Sequence, residues 1–282
     1  MGGLSWFKAI LLGFVQGATE FFPVSSTGHI VLVQNYLGIR DPSKTLSMFD
    51  SVLNLGTLIA AIVFFRHDLL SLLACWISPL RKKLEQKNIL PCLGVATGKR
   101  LGLLLLLGIV PAGLVSAGFH QFFEDLFSDT IMVAIFLLIM GTILHSTRRI
   151  DGIGMDFGKM NFKQSLLIGL SQIFAIFPGA SRSGLTISAG LFLKLNPETA
   201  FRFSFLMMIP IVAGSVIYDL REGAHFPLEE WGKAILGAII AGVVGFFSLK
   251  MLLRLMKEGH FANFAWYCWA VGGFVILKEL FF

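Results

Sequence analysis

The sequence predicts an all-α polytopic membrane protein, an inverted-topology repeat of about six transmembrane helices plus two re-entrant helical hairpins. Three observations point there. Of 282 residues, 55% are hydrophobic and 14% charged, with a mean hydropathy of +0.78, whereas soluble domains carry about 25% charged residues. Several apolar runs reach the ~20 residues with which a helix crosses roughly 30 Å of hydrocarbon, and a helix closes its backbone hydrogen bonds internally there. Two other apolar segments are cut by short Pro/Ser/Gly-rich breaks.

The full spans fall at about 49–66, 101–119, 131–147, 201–218, 232–253 and 263–281. The interrupted segments are 4–37, broken at "PVSSTGH", and 164–195, broken at "PGASRSG". Short apolar helices separated by Gly and Pro suit hairpins that dip into the membrane and return. The N-terminus does not read as a signal peptide, because Lys8 is its only early base and Gln16 and Glu20 interrupt the apolar run. Cys75, Cys92 and Cys268 lie far apart, without metal-ligand spacing or an even-numbered framework, and read as small apolar fillers.

Loop charge sets the orientation. Connections 66–100, 145–163 and 254–260 are basic, whereas 120–130 carries Glu124, Asp125 and Asp129, and 219–230 carries Asp219, Glu222, Glu229 and Glu230 with Arg221 alone. Basic and acidic loops alternate as six spans require, which places the basic loops in the cytoplasm and the acidic ones outside. The net charge of +6 is then a topology signal, and no nucleic-acid partner is expected.

The two broken segments resemble each other. Shifted by 156 residues, Gly13 falls on Gly169, Gln16 on Gln172, Phe21 on Phe177, Ser25 on Ser181 and Gly28 on Gly184, while Pro23 and Pro178 miss by one. Each half (1–150 and 151–282) reads as a hairpin plus three spans within one integral membrane domain. An odd number of spans inverts the second copy, and such repeats place their working site where the broken helices meet near the midplane.

The polar residues of the breaks suggest what that site does. Gln16 and Glu20 share a helix face four residues apart. Ser25, Ser26 and Thr27 follow Pro23, and His29 comes three residues after Ser26. A hydroxyl nucleophile needs a nearby base, commonly histidine, and amides around Ser26 to Gly28 would face an anion from a helix start. Glu20 would orient the imidazole or hold a divalent cation. The second break supplies Arg182 between Ser181 and Ser183, and arginine grips phosphate with paired hydrogen bonds. Nucleophile and base on one hairpin and an anion clamp on the other spell phosphoryl transfer on a membrane-embedded substrate. Ionisable groups at membrane depth cost at least about 2.5–3.5 kcal/mol, which favours functional roles for Glu20, His29 and Arg182. Serines and threonines in such helices also serve as plain packing donors. His67, His120, His145, His225 and His260 sit at span ends or in loops, and Asp50 and Asn54 either approach the site or cap their helix.

The paired motifs "GATEFFPVSSTGH" and "FPGASRSGLT", together with "FDSVLNLGTLIA" and "FRFSFLMMIP", resemble the undecaprenyl-diphosphate phosphatase family, also called the bacitracin resistance protein family. That resemblance implies hydrolysis of undecaprenyl diphosphate to undecaprenyl phosphate and inorganic phosphate, recycling the carrier for peptidoglycan and other wall polymers and conferring bacitracin resistance. It implies a divalent cation, Mg2+ or Ca2+, and a site opening to the periplasmic face of the bacterial inner membrane. It assigns Ser26 as nucleophile, His29 as its base, Glu20 as the second acidic residue and Arg182 as the diphosphate clamp. The hydroxyls Ser25, Thr27, Ser181, Ser183 and Thr186, with the Gly28 amide, are the expected diphosphate-binding set. Where many members of that family have glutamate this chain has Gln16, which keeps an oxygen and loses the charge, so Glu20 is the expected metal ligand with Gln16 behind it. The partners expected are the polyprenyl diphosphate substrate and membrane lipid, with a homodimer left open.

Two rival readings stand beside this one. A polyprenyl-phosphate transporter (flippase) would use the same inverted-repeat site without a nucleophile. The acid-phosphatase type of membrane lipid phosphatase is excluded, because no basic-Pro motif precedes Ser25 and Ser188, not histidine, follows Arg182 by six.

Overall fold

The computed structural model describes residues 4–39, 45–77, 95–124, 130–150, 154–222 and 226–281. Of the charged connections read from the sequence, Arg81 to Lys87 and Asp125 to Asp129 lie outside these residues, as do Cys92 and His225. Among the described residues the chain forms α1 (Trp6–Glu20), α2 (Ser26–Tyr36), α3 (Thr45–Phe64), α4 (Arg66–Trp76), α5 (Val95–Glu124), α6 (Thr130–Ser146), α7 (Phe162–Ser171), α8 (Arg182–Phe192), α9 (Pro197–Glu222), α10 (Leu228–Lys257) and α11 (Phe264–Phe281). One isolated bridge, Met155 with Leu195, is the extended pairing among them. The protein is an all-α polytopic membrane protein. Among the described residues six segments are long and apolar enough to cross a membrane, Leu46–Phe64, Gly98–Val115, Thr130–Arg149, Pro197–Arg221, Leu228–Lys257 and Phe261–Phe281, and they meet the expected spans. The 66–100 connection, expected as loop, opens instead with α4, where "LLSLLACW" supplies a helical apolar face.

The two interrupted segments are helical hairpins. α1 has 15 residues and α2 has 11; at 1.5 Å per residue these rise about 22 and 16 Å, short of the roughly 30 Å of a bilayer core. The second hairpin descends through α7 and a 3₁₀ turn, Gln172–Ile176, and returns as α8. Helix boundaries in the two hairpins differ by a constant 156 residues, the same shift that aligns their sequences.

Glycines let each hairpin press onto a span from the other half of the chain. α1 packs along α10 so closely that a Cβ on Gly13 would overlap the Gly237 carbonyl, and one on Gly17 would overlap that of Ala241. Likewise α7 meets α5 backbone to backbone, with Gly169 against Gly108. α10 also lies along α3, and α11 along α6. Small residues at crossings are how helices associate where lipid and side chain are equally apolar. At the centre, Phe21, Phe65, Phe201 and Phe205 are fully buried; Phe65, Phe201 and Phe205 pack on one another, the Phe201 and Phe205 rings 4.8 Å apart, and Phe21 packs on Phe205. Such aromatic pairs add about 0.5–1.5 kcal/mol beyond area burial. Outward-pointing Ile59, Val63, Leu106, Val110, Ile239, Val243 and Phe247 leave a broad apolar exterior that only lipid covers favourably.

Candidate active site

Both return helices begin the same way. Ser25 caps α2, its Oγ accepting from the Gly28 amide at 3.3 Å, and Ser181 caps α8, its Oγ accepting from the Gly184 amide at 3.1 Å. The breaks also touch reciprocally: Gly28 lies against Gly179 of the second break, and Gly184 against Pro23 of the first. Gly179 has a φ of +90° and faces the Val133 backbone, so it needs both glycine's left-handed freedom and its missing side chain. The hydroxyls of Ser181 and Ser183 reach toward the Phe22 carbonyl just past the end of α1, which also accepts from the Val24 amide, and Ser183 bonds it at 3.3 Å. Two helix N-termini, each a site of positive potential, are thus brought to one place.

Between them lies a cavity of about 90 Å³ lined by Glu20, Ser25, Ser26, Thr27, Asn54, Ala175, Ala180, Ser181, Arg182, Met208, Val212 and Ser215. It is far smaller than the roughly 300–1,000 Å³ of a pocket that encloses a whole drug-sized ligand, so it suits a headgroup whose chain stays outside. Ser26 Oγ donates to Glu20 Oε2 at 2.5 Å, the short geometry of a hydroxyl on a carboxylate. Gln16 Nε2 donates to the same oxygen at 3.0 Å and to Asn54 Oδ1 at 2.7 Å. Arg182 feels Glu20 as its neighbouring opposite charge, yet its Nη1 is buried with no hydrogen-bond partner. A buried guanidinium N–H without an acceptor is costly, and an anionic oxygen in the cavity would satisfy it.

The structure therefore gathers Ser26, Glu20, Arg182, Ser25, Thr27 and Ser181 around one cavity, and sends the other expected residues elsewhere. His29 does not bond Ser26. Its Nδ1 meets the Ser25 carbonyl at 2.8 Å and its Nε2 the Tyr267 hydroxyl at 2.8 Å, with the two rings stacked. Gly28 is taken up by the contact with Gly179 and does not line the cavity. Ser183 bonds Ser181 and Phe22, while Thr186 turns into the core and bonds the Arg182 carbonyl and Ser204. These hydroxyls hold α8 to its surroundings.

Asn54 and Ser215 were not in the expected binding set, yet both line the cavity. For Asn54 the signal was present in its one-turn spacing from Asp50. Asp50 itself accepts from Gln34 and is absent from the lining.

Among the described residues no cluster of three or more His, Cys, Asp or Glu side chains is placed to hold a metal. One oxygen pair nonetheless fits a divalent cation in part. Glu20 Oε2 and Asn54 Oδ1 converge on the single Gln16 nitrogen, and hard cations such as Mg2+ take one or two protein oxygens and complete their shell with phosphate oxygens and water.

Compared with known proteins, residues 9–274 match the family described as bacitracin resistance protein BacA. The chain is 39% identical over 277 residues to the undecaprenyl-diphosphatase of Desulfosudis oleivorans, covering 94% of this chain and 96% of that one. It is 37% identical over 275 residues to that of Methanosphaera stadtmanae (97% and 98% covered), and 35% over 273 residues to that of Halothermothrix orenii (96% and 97%). With the family's description matched almost end to end and such relatives aligned over nearly their full lengths, the chain belongs to the bacitracin resistance protein BacA family.

Proposed function

We propose that this protein hydrolyses undecaprenyl diphosphate to undecaprenyl phosphate and inorganic phosphate. Its relatives bear the name of that activity. The observation that carries the reading to this chain is Ser26 bonded to Glu20 across a small polar cavity from the unpartnered Nη1 of Arg182. The terminal phosphate sits between Arg182 and the amides that open α2 and α8, which stabilise the charge growing on its oxygens. Ser26 Oγ attacks the terminal phosphorus, and Glu20 takes its proton. The Oγ–P bond forms as the bridging P–O bond breaks, releasing undecaprenyl phosphate. Glu20 passes that proton to the departing undecaprenyl phosphate; it then takes a proton from the water that attacks the phosphoserine and returns it to Ser26 Oγ as the Oγ–P bond breaks and inorganic phosphate leaves. A divalent cation held by Glu20 and Asn54 would neutralise charge on the diphosphate; the oxygen pair supports Mg2+ or Ca2+ there.

The site opens to the periplasmic side of the bacterial inner membrane in this reading. Support comes from Arg148, Arg149, Arg254 and Lys257 at one set of span ends and Asp219, Glu229 and Glu230 at the other. The test is purified protein with undecaprenyl diphosphate labelled in its terminal phosphate. Release of labelled phosphate, with label trapped on Ser26 after rapid quenching, supports the reading. Hydrolysis without label on Ser26 would reassign the attack to water, and no hydrolysis by folded protein would sink it.

A further inference from the structure

We infer that Tyr267 is a positioning residue for Ser26, acting through His29, and that His29 is a donor to the Ser25 backbone rather than a proton acceptor; this rests on the phosphatase reading above. Ser25 is one of two non-glycine residues with positive φ among those described, at φ 67° and ψ 97°, a region that side chains rarely adopt. That conformation turns the chain sharply between Val24 and Ser26, and so sets the direction in which Ser26 leaves the backbone. Its carbonyl accepts twice from one residue, from the His29 amide at 3.2 Å and from His29 Nδ1 at 2.8 Å.

A carbonyl can only accept, so Nδ1 must carry the hydrogen. In neutral imidazole Nε2 is then the bare nitrogen, and the Tyr267 hydroxyl donates to it at 2.8 Å. Neither nitrogen is left for the Ser26 proton, whose acceptor is Glu20. The adjacent Cys268 leans its thiol on the Pro23 carbonyl at 3.8 Å, so α11 holds the first break at two consecutive positions. Tyr267 fixes the imidazole tautomer, the tautomer fixes the Ser25 carbonyl, and that carbonyl aims Ser26. No element of the helices carrying Ser26 and Glu20 would reveal this, because the anchor comes from the far end of the chain.

The test uses the full chain in detergent with undecaprenyl diphosphate, for wild type, His29→Ala, His29→Asn, Tyr267→Phe and the double variant His29→Asn/Tyr267→Phe. Asparagine places an amide N–H near the Nδ1 position and cannot serve as a base. His29→Ala is expected to lose about a hundredfold in kcat, the scale of a misaimed reacting group. His29→Asn is expected to recover to within about tenfold of wild type. Tyr267→Phe should lower kcat about tenfold with KM unchanged, since Arg182 still binds the headgroup. Added to His29→Asn, the Tyr267→Phe change should cost little more. Wild-type kcat in Tyr267→Phe, or His29→Asn as dead as His29→Ala, overturns the proposal. Ring nitrogen shifts of His29 by ¹⁵N NMR read the tautomer without turnover. Hydrogen on Nδ1 and a bare Nε2 support it, and the reverse overturns it whether or not wild type releases phosphate. Absence of release by wild type would count against the phosphatase reading alone.

Discussion

Ser26 and Glu20, six residues apart across the break after α1, meet hydroxyl to carboxylate at 2.5 Å. A helix could not bring them together this way, because six residues along it are turned about 120° from each other and about 9 Å apart along the axis. The chain break makes the pair. Ser26→Ala and Glu20→Gln should each lower phosphate release by at least about a hundredfold, the scale of a lost nucleophile or base. Circular dichroism should show the fold intact in both. Release within a few-fold of wild type in Glu20→Gln would remove it as proton acceptor.

Arg182 carries a buried, unpartnered Nη1, so its replacement should separate activity from stability. Arg182→Met is expected to lose about 10²–10³ in kcat, while its thermal midpoint in the absence of substrate stays level or rises, because a buried N–H donor without an acceptor is gone. Arg182→Lys should restore only part of the activity, since an ammonium lacks the planar fork. A fall in midpoint for Arg182→Met would mean that the guanidinium is held by groups other than substrate.

Gln16 bridges Glu20 and Asn54 through one amide nitrogen. Replacing it by glutamate removes that donor and sets a second carboxylate beside the first. Ligand charge strengthens binding of hard cations, so Gln16→Glu should lower the half-saturating Mg2+ or Ca2+ concentration for phosphate release by about tenfold. A titration curve unmoved from wild type would place the cation elsewhere.

At the α1–α10 and α5–α7 crossings there is no room for a side chain. Gly13→Leu and Gly169→Leu should each destabilise by more than the 1–3 kcal/mol typical of overpacking, seen as loss of the monodisperse peak in size-exclusion chromatography. Gly214, with nothing within 4 Å of a Cβ built on it, is the control. Gly214→Ala should behave as wild type, and equal losses at all three positions would refute the crossing as cause.

The spans and breaks were legible because hydrophobic length and proline position are local properties. The expected span 232–253 lies inside α10, Leu228–Lys257, and the helix overruns it because its polar end turns continue beyond the apolar stretch. The membership of Ser26, Glu20 and Arg182 in one cavity was also readable, from the chemistry of each break. The partner of His29 was not. Tyr267 lies 238 residues away, on a span whose rotation is set by packing against α6, and periodicity reports a helix's faces without saying what each face meets. Ser183 and Thr186 look like ligands in sequence for the same reason. Their hydroxyls are as close in the chain to Arg182 as those of true cavity residues, and only the placement of Phe22 and Ser204 turns them inward.

The crossed contacts, α1 on α10 and α7 on α5, have a consequence for biosynthesis. Membrane chains are inserted from the N-terminal end, and α1 emerges long before the α10 surface it must cover. Until then α1 has only α2 and α3 to pack on, its glycine face is uncovered, and the helix is too short to span. The first hairpin reaches its final packing only when the penultimate helix arrives. A chain cut short before α10 would already carry every residue that lines the cavity, yet lack the helix on which α1 rests.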